Sequence, residues 1–397
     1  MSRRKQLQSN IWKYFVYSFS QRRNFYPILS IFFLTLPDAT TKQIGIWSGI
    51  GFIASFFFEI PSSYFADRFG HKKTLVMAKV LMTISTGSFV FANSWIWFII
   101  GSALLSISLA FASGTDSAFI HNTMVESRRE HEYTKLKSKL SANVSLLSTI
   151  PIILLPFFTA VSIRLPLQIW LVVDIIGLII AFSFVSPRIR FEAEEDKVSV
   201  WKIAKQLYGT GFYPFSIFIG IIGGYIVAVS NFNNVYLQSI GYPVVLLGFV
   251  MGVSRFVWFL IGHNIHKIEE KFGMHAMLVF EMIFFPLMIS LIIIFKNPYF
   301  VAAIICIMIG YYWGRCPMMD GYTLKHFVVN KKYKATLISL QSQIEGIFQA
   351  IFAFCFGYLM AISFKLGYSA GLLAMLIVMV ISYIYCKKHL PLPIRTQ

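Results

Sequence analysis

Long apolar runs alternate with short polar stretches from one end of the chain to the other. Most runs hold about 20 residues, the length that an α-helix needs to cross the hydrocarbon core of a bilayer. A helix satisfies its own backbone hydrogen bonds in that medium. The pattern therefore predicts an all-α integral membrane protein with twelve transmembrane helices. The predicted spans 1 to 12 are residues 14–36, 44–65, 74–92, 95–118, 140–162, 167–186, 213–236, 244–265, 274–295, 299–322, 337–361 and 368–386.

The composition agrees with a chain whose main solvent is lipid. Apolar residues make up 57% of it and charged residues 13%, whereas a soluble domain carries about 25% charged residues. The four cysteines lie in or at the end of apolar runs and form no Cys-x-x-Cys pair. We therefore expect no disulfide framework, no metal site and no cofactor.

The distribution of lysine and arginine predicts how the chain is oriented. If the N-terminus is cytoplasmic, 26 of the 35 cationic residues fall in inner segments, 4 in outer loops and 5 inside spans. Inner loops of membrane proteins carry such an excess. Both termini are therefore predicted to be cytoplasmic, and the net charge of +18 needs no nucleic acid partner.

A hydrophilic stretch at 187–206 divides the chain near its middle. We interpret it as a solvated linker between two halves. The predicted domains are a six-helix bundle at 1–190, a cytoplasmic linker at 191–210 and a second six-helix bundle at 211–397.

The two halves carry related signals at a nearly constant offset. Residues 67–70 read Asp-Arg-Phe-Gly after span 2, and residues 270–273 read Glu-Lys-Phe-Gly after span 8. Asp116 and Asp320 stand near the inner ends of spans 4 and 10. Parallel six-helix repeats are one architecture of secondary transporters.

Four segments resemble motifs of the major facilitator superfamily. Residues 63–73, SYFADRFGHKK, resemble the family signature between spans 2 and 3, and 58–61, FEIP, is similar to the form that bacterial members carry before it. SGTDSA at 113–118 and KATLIS at 334–339 resemble runs at the end of span 4 and the start of span 11. The resemblance implies two pseudo-symmetric six-helix bundles in a bacterial inner membrane.

The resemblance also implies a gating motif on the inner side. In the family, the residue at the position of Asp67 contacts the start of span 11, here 334–337, and so ties the halves together. We expect Asp116 and Asp320 to anchor loop cations such as Arg68 or Lys271. For Lys72 and Lys73 the alternative is that they only fix topology. The predicted gating residues are Asp67, Arg68, Gly70, Lys72, Lys73, Asp116 and Asp320.

Charged residues inside spans are candidates for mechanism because an arginine at mid-bilayer costs about 3 kcal/mol. Such residues should face a cavity or pair with acids. Tyr14, Ser18, Arg22 and Tyr26 recur every four residues on one face of span 1. Arg23 is turned about 100° away on a helix. The spacing therefore predicts that Arg22 faces the cavity.

The resemblance implies that spans 1, 4, 7 and 10 line the cavity. Arg315 on span 10 and Glu345 on span 11 lie at similar depth, which predicts an ion pair that breaks during transport or, alternatively, a static pair. Proton coupling needs a carboxylate that can be neutralised, and Glu345 is the candidate. Asp174 and Glu281 are expected to serve packing. The predicted substrate-binding residues are Arg22, Tyr26, Arg255, Tyr311, Arg315 and Asn234.

These patterns favour a secondary active transporter that moves a small organic solute by alternating access. The preferred form of this prediction is an antiporter that couples efflux of the solute to protons. The positive cavity favours an anionic or zwitterionic solute. The expected partners are that solute, a proton or other coupling ion and lipid, with the protein a monomer. The chain has no Walker, His-Glu-x-x-His or Gly-x-Ser-x-Gly motif, so no enzyme is predicted. The alternatives are an uptake carrier for an anionic metabolite or siderophore-like solute, and a non-transporting sensor or immunity protein.

Overall fold

The computed structural model describes residues 3–188, 200–327 and 334–388, and these contain α-helices, short 3₁₀ turns and no strand. The prediction of an all-α chain is confirmed. The helices are α1 (Arg3–Ser20), α2 (Tyr26–Phe33), α3 (Thr41–Phe69), α4 (His71–Val90), α5 (Ile96–Ala112), α6 (Thr115–Glu126), α7 (Tyr133–Leu154), α8 (Leu165–Phe182), α9 (Val200–Gln206), α10 (Phe212–Ser239), α11 (Leu247–Ile294), α12 (Pro298–His326), α13 (Lys334–Ile362) and α14 (Phe364–Lys387).

Within the described ranges, nine helical segments are long and apolar enough to cross a membrane. They run in order from Ile96–Glu126 to Phe364–Lys387 and correspond to predicted spans 4 to 12. The helices α1 to α4, which would supply spans 1 to 3, are not among them. The count of twelve therefore stays a prediction.

Predicted span 1 is discontinuous. Helix α1 ends at Ser20 and α2 begins at Tyr26, so the prediction of one helix over 14–36 is wrong. Pro27 stands in the first turn of α2. Its ring would clash with the carbonyl of Arg23 in an unbroken helix and its nitrogen cannot donate. The break places the two neighbouring arginines, Arg22 and Arg23, outside any helix.

Two glycines show the internal repeat in the backbone. Gly70 has φ 85° and ψ 154° and precedes α4. Gly273 has φ 77° and ψ 160° and interrupts α11. This region of backbone space is essentially restricted to glycine. The same sharp turn therefore recurs at the offset of 203 residues seen in the sequence.

Packing groups the chain into two units, each of which is described by itself. We keep the predicted bundle limits as a proposal, because each unit also takes in a short segment from beyond them. Among the described residues, the first unit comprises 3–39, 50–188 and 244–248, and the second comprises 40–49, 200–243, 249–327 and 334–388.

A buried cluster fixes the rotation of α1 in the first unit. Tyr17 is fully enclosed, and its hydroxyl donates to the Leu75 carbonyl at 3.1 Å. Tyr14 and Tyr17 also border a cavity, which Ser18 lines one helical turn after Tyr14. The cluster is Tyr14, Tyr17, Leu75, Phe119, Ile120, Met124, Ala181 and Phe184.

Candidate substrate site

A cavity of about 390 Å³ lies within the first unit, between α1, α5, α6 and α7. Its walls combine hydroxyl groups and apolar side chains with three charged residues. The break after Ser20 brings Arg22 to this wall. The lining residues are Tyr14, Tyr17, Ser18, Gln21, Arg22, Leu109, Ala112, Ser113, Asp116, Lys137, Leu140, Ser141 and Val144.

Asp116 belongs to a hydrogen-bonded cluster in this cavity. The Tyr14 hydroxyl donates to Asp116 Oδ2 at 2.8 Å. Lys137 Nζ lies 3.2 Å from the same oxygen and 2.5 Å from the Tyr14 hydroxyl. The expected partner, Arg68, is instead exposed and lies over the Phe69 ring. Lys137 was not among the predicted site residues because predicted span 5 began at residue 140, whereas α7 begins at Tyr133.

Arg22 lies on the cavity wall, half-buried. Its guanidinium forms no hydrogen bond or ion pair with any residue that the structure describes. Because a charge in a membrane span is expensive unless it is compensated, this side chain can gain strongly from a bound anion.

Arg23 points away from the cavity into a buried charge cluster. Its Nη1 and Nη2 atoms donate to the two Asp174 oxygens at 2.8 and 2.7 Å. Lys79 Nζ and Thr86 Oγ1 donate to the same carboxylate at 2.7 and 2.6 Å. Asp174 and Lys79 are both fully buried. Asp174 thus pairs with two cations inside the first unit.

The same two cations also close the end of α1. Arg23 Nη2 donates to the Ser20 carbonyl at 2.5 Å, and Lys79 Nζ donates to it at 2.9 Å. A helix that ends inside a membrane leaves carbonyls that need donors. Cations also complement the negative end of the helix dipole. The cluster therefore stabilises the break in span 1.

Three other predicted cavity residues lie elsewhere. Tyr26 begins α2, is 39% exposed and packs edge-on against Phe25. Asn234 is buried in α10, and Arg255 is half-buried in α11. None of them lines the cavity that contains Arg22.

In the second unit, Arg315 pairs with Glu281. Arg315 Nε lies 3.2 Å from Glu281 Oε1, and the Tyr311 hydroxyl donates to that oxygen at 3.1 Å. The predicted Arg315–Glu345 pair is not formed in this structure, where Glu281 is the partner of Arg315. The expectation that Glu281 serves packing stays a prediction. The similar depth of Arg315 and Glu345 did not decide the partner of Arg315. A side chain reaches only the residues on the neighbouring helix against which its own helix face packs.

Glu345 is held by neutral groups. Its Oε1 atom accepts hydrogen bonds from the Tyr312 hydroxyl at 2.8 Å and from Gln349 Nε2 at 2.9 Å. Within the described ranges, this carboxylate has no cation at ion-pair distance. The Tyr312 ring also contacts the Arg315 guanidinium, whose central carbon lies 5.2 Å from the ring centre.

A glycine on α10 makes room for the Glu345 carboxylate. A Cβ atom on Gly223 would lie 2.5 Å from Glu345 Cδ and 2.6 Å from Oε1. The next residue, Gly224, packs as closely against α13, where its Cβ would lie 2.4 Å from Phe348 Cβ, while Gly220 is less tightly packed, with its Cβ 3.3 Å or more from α13. The glycine-rich face of α10 thus fixes the position of Glu345.

Tyr311 borders a second cavity, of about 470 Å³, whose remaining lining is apolar and comes from both parts of α11 and from α12. Its hydroxyl is engaged by Glu281. Tyr311 therefore positions a buried carboxylate beside an apolar space.

The remaining gating residues are placed in part. Gln341 Nε2 donates to Asp320 Oδ1 at 2.9 Å, while the expected partner Lys271 lies over the Phe272 ring. Lys72 and Lys73 occupy the first turn of α4. The side chain of Asp67 and those at 334–335 lie outside the described residues, so the predicted contact of Asp67 with the start of span 11 stays a prediction.

In the described part of the chain, no three His, Cys, Asp or Glu side chains are close enough together to hold a metal ion.

Comparisons with known proteins agree with this architecture. A sequence profile of the Major Facilitator Superfamily matches residues 14–340. An MFS-type transporter of Bacillus subtilis (strain 168), YxaM, is 24% identical over 278 residues, which cover 64% of this chain and 66% of that protein. The match thus spans slightly less than two thirds of this relative's length.

Solved transporter structures share the fold. The nucleoside transporter NupG aligns with a TM-score of 0.74 at 13% identity, over 98% of this chain and 99% of that one. A bacterial homologue of the human lysosomal transporter Spinster gives 0.67 at 13% identity, over 99% and 100%. The D-xylose–proton symporter gives 0.67 at 14% identity, over 96% and 98%. Likeness at these identities shows the fold alone.

The profile covers most of the chain, and the fold similarity extends over nearly all of it. Together with nine apolar candidate spans among the described residues, these findings indicate a multi-pass membrane protein. The resemblance carried by residues 58–73 is confirmed, and the chain belongs to the Major Facilitator Superfamily.

Proposed function

We propose that this protein is a secondary active transporter that moves a small organic solute by alternating access, coupled to protons. Family membership supports transport rather than catalysis. The preferred direction is efflux across a bacterial inner membrane, with both termini of the chain in the cytoplasm.

The observation that carries the coupling is the environment of Glu345. A carboxylate inside a membrane protein can carry a proton if its charged form is not locked by a cation. Glu345 has two neutral hydrogen-bond donors, Tyr312 and Gln349. Arg315, the cation that was predicted to pair with Glu345, lies 3.2 Å from Glu281 instead. Glu345 can therefore gain and lose a proton without breaking an ion pair.

Inward symport is the alternative direction. The D-xylose–proton symporter, which shares the fold, has that coupling by name. The direction of transport depends on the side of the membrane from which each conformation binds solute and proton. It therefore has to be determined by measuring flux.

Growth of a deletion strain across antibiotics, siderophores and metabolites, with intracellular concentrations measured, would identify candidate solutes. Purified protein would then be reconstituted in liposomes containing a pH-sensitive dye. The proposal expects solute addition to move protons, and an imposed pH gradient to drive solute uphill. Solute movement that is indifferent to the gradient would remove the coupling, and bound solute without flux would favour a sensor.

A further inference from the structure

The cavity of the first unit carries one uncompensated positive charge. Its charged lining residues are Arg22, Lys137 and Asp116. Lys137 and Asp116 form an ion pair at 3.2 Å. If all three are ionised, the charge of Arg22 remains in excess.

The nearby acids are already engaged. Asp174 accepts hydrogen bonds from Arg23, Lys79 and Thr86 and is fully buried. Asp116 accepts from Tyr14 and Lys137. The break in span 1 therefore separates two adjacent arginines, one paired with Asp174 and the other left for a ligand.

The rest of the cavity wall indicates which chemical groups of a ligand would accompany its charge. Hydroxyl groups of Ser18 and Ser141 line the cavity, and Leu109, Leu140 and Val144 supply apolar surface. A guanidinium binds planar acid groups through two parallel hydrogen bonds. Binding sites for small molecules combine apolar walls with a few orienting polar groups.

We propose that the transported solute is an organic monoanion whose acid group binds Arg22 while its apolar body contacts Leu109, Leu140 and Val144. A single negative charge balances the excess charge of the cavity. This inference rests on the proposed transport function for its biological meaning, but the charge preference of the cavity can be measured without transport.

The test uses a thiol placed in the cavity as a reporter. Ser18 lines the cavity and lies on α1 just before the break. The substitution Ser18→Cys would be made in a background with Cys316→Ser and Cys355→Ser, because the other two native cysteines are buried. Reaction rates with the anionic reagent 2-sulfonatoethyl methanethiosulfonate and the cationic reagent 2-aminoethyl methanethiosulfonate would be compared. The same ratio for free 2-mercaptoethanol is the reference.

The anionic reagent should be favoured by roughly tenfold over the reference at low salt, because a charged cleft concentrates counter-ions. The preference should shrink as salt is added. It should be lost in Arg22→Gln and retained in Arg22→Lys. Arg164→Gln is the matched control, since it removes a first-unit cation that does not line the cavity.

A ratio at or below the reference in the otherwise unchanged cavity would overturn the proposal, and this result needs no Arg22 variant to fold. An anionic preference that survives Arg22→Gln would also overturn it. Charge preference without flux in liposomes would leave the anion site and remove transport. Flux without charge preference would support transport and overturn the anion site.

Discussion

The Asp174 carboxylate binds both terminal nitrogens of the Arg23 guanidinium, at 2.7 and 2.8 Å, inside the first unit. Arg23→Ala would leave Asp174 with Lys79 and Thr86 and remove one donor from the end of α1. Lys79 would still compensate the charge of Asp174, but the carboxylate would lose two charge-assisted hydrogen bonds, each worth about 1.5–3 kcal/mol. We expect Arg23→Ala to lower the thermal unfolding temperature of the purified protein markedly. Arg22→Ala is the control and should unfold close to wild type, because Arg22 has no partner within the described residues.

Arg22→Ala should instead weaken solute binding. Loss of a charge-assisted hydrogen bond costs about 1.5–3 kcal/mol, which corresponds to a loss of affinity of at least about tenfold. The measurement is the concentration dependence of uptake or efflux in liposomes, with Arg22→Lys as the conservative variant. A larger loss of affinity in a folded Arg23→Ala protein than in Arg22→Ala would contradict this assignment.

Glu345→Gln should separate solute flux from the proton gradient. Glutamine keeps the shape and can still accept from Tyr312, but it cannot exchange a proton. Downhill exchange should continue, whereas uphill movement driven by a pH gradient should fall to background. A variant that still concentrates solute in response to pH would exclude Glu345 as the proton carrier.

Gly223→Ala tests the position of Glu345 without changing any charge. The new Cβ would lie 2.5 Å from Glu345 Cδ, so the carboxylate or the helix must move. Overpacking of this kind costs about 1–3 kcal/mol, and the pH response of flux should weaken. Gly346→Ala is the matched control, since its Cβ meets nothing within 4 Å. Equal behaviour of the two variants would show that the close packing is unimportant.

Gly70→Ala and Gly273→Ala should destabilise their respective units to a similar extent. Each glycine has a positive φ in a region that costs other residues about 1–3 kcal/mol. Gly87→Ala, in the last turn of α4 with open space around its Cβ, should be neutral or stabilising by up to about 1 kcal/mol. Unfolding temperatures in detergent provide the comparison. If Gly70→Ala matched Gly87→Ala, the turn would not depend on glycine.

Several features followed from the sequence because hydrocarbon solvates neither backbone nor charge. Apolar runs of helical length fixed an all-α chain, and the motif at 63–73 indicated the family. The cost of buried charge also meant that Arg22, Arg23, Arg315 and their neighbours had to find partners or a cavity.

Only the tertiary structure decided which partner each charge meets. Helix rotation gave Arg315 to Glu281 and left Glu345 with Tyr312, although sequence depth favoured the opposite pairing. Pro27 broke the regular periodicity of span 1, and the longer α7 brought Lys137 to Asp116. These outcomes depend on how separate helices pack, which is a non-local property. The need to bury apolar surface and to compensate charge, by contrast, is a local property of each residue and can be read from the sequence.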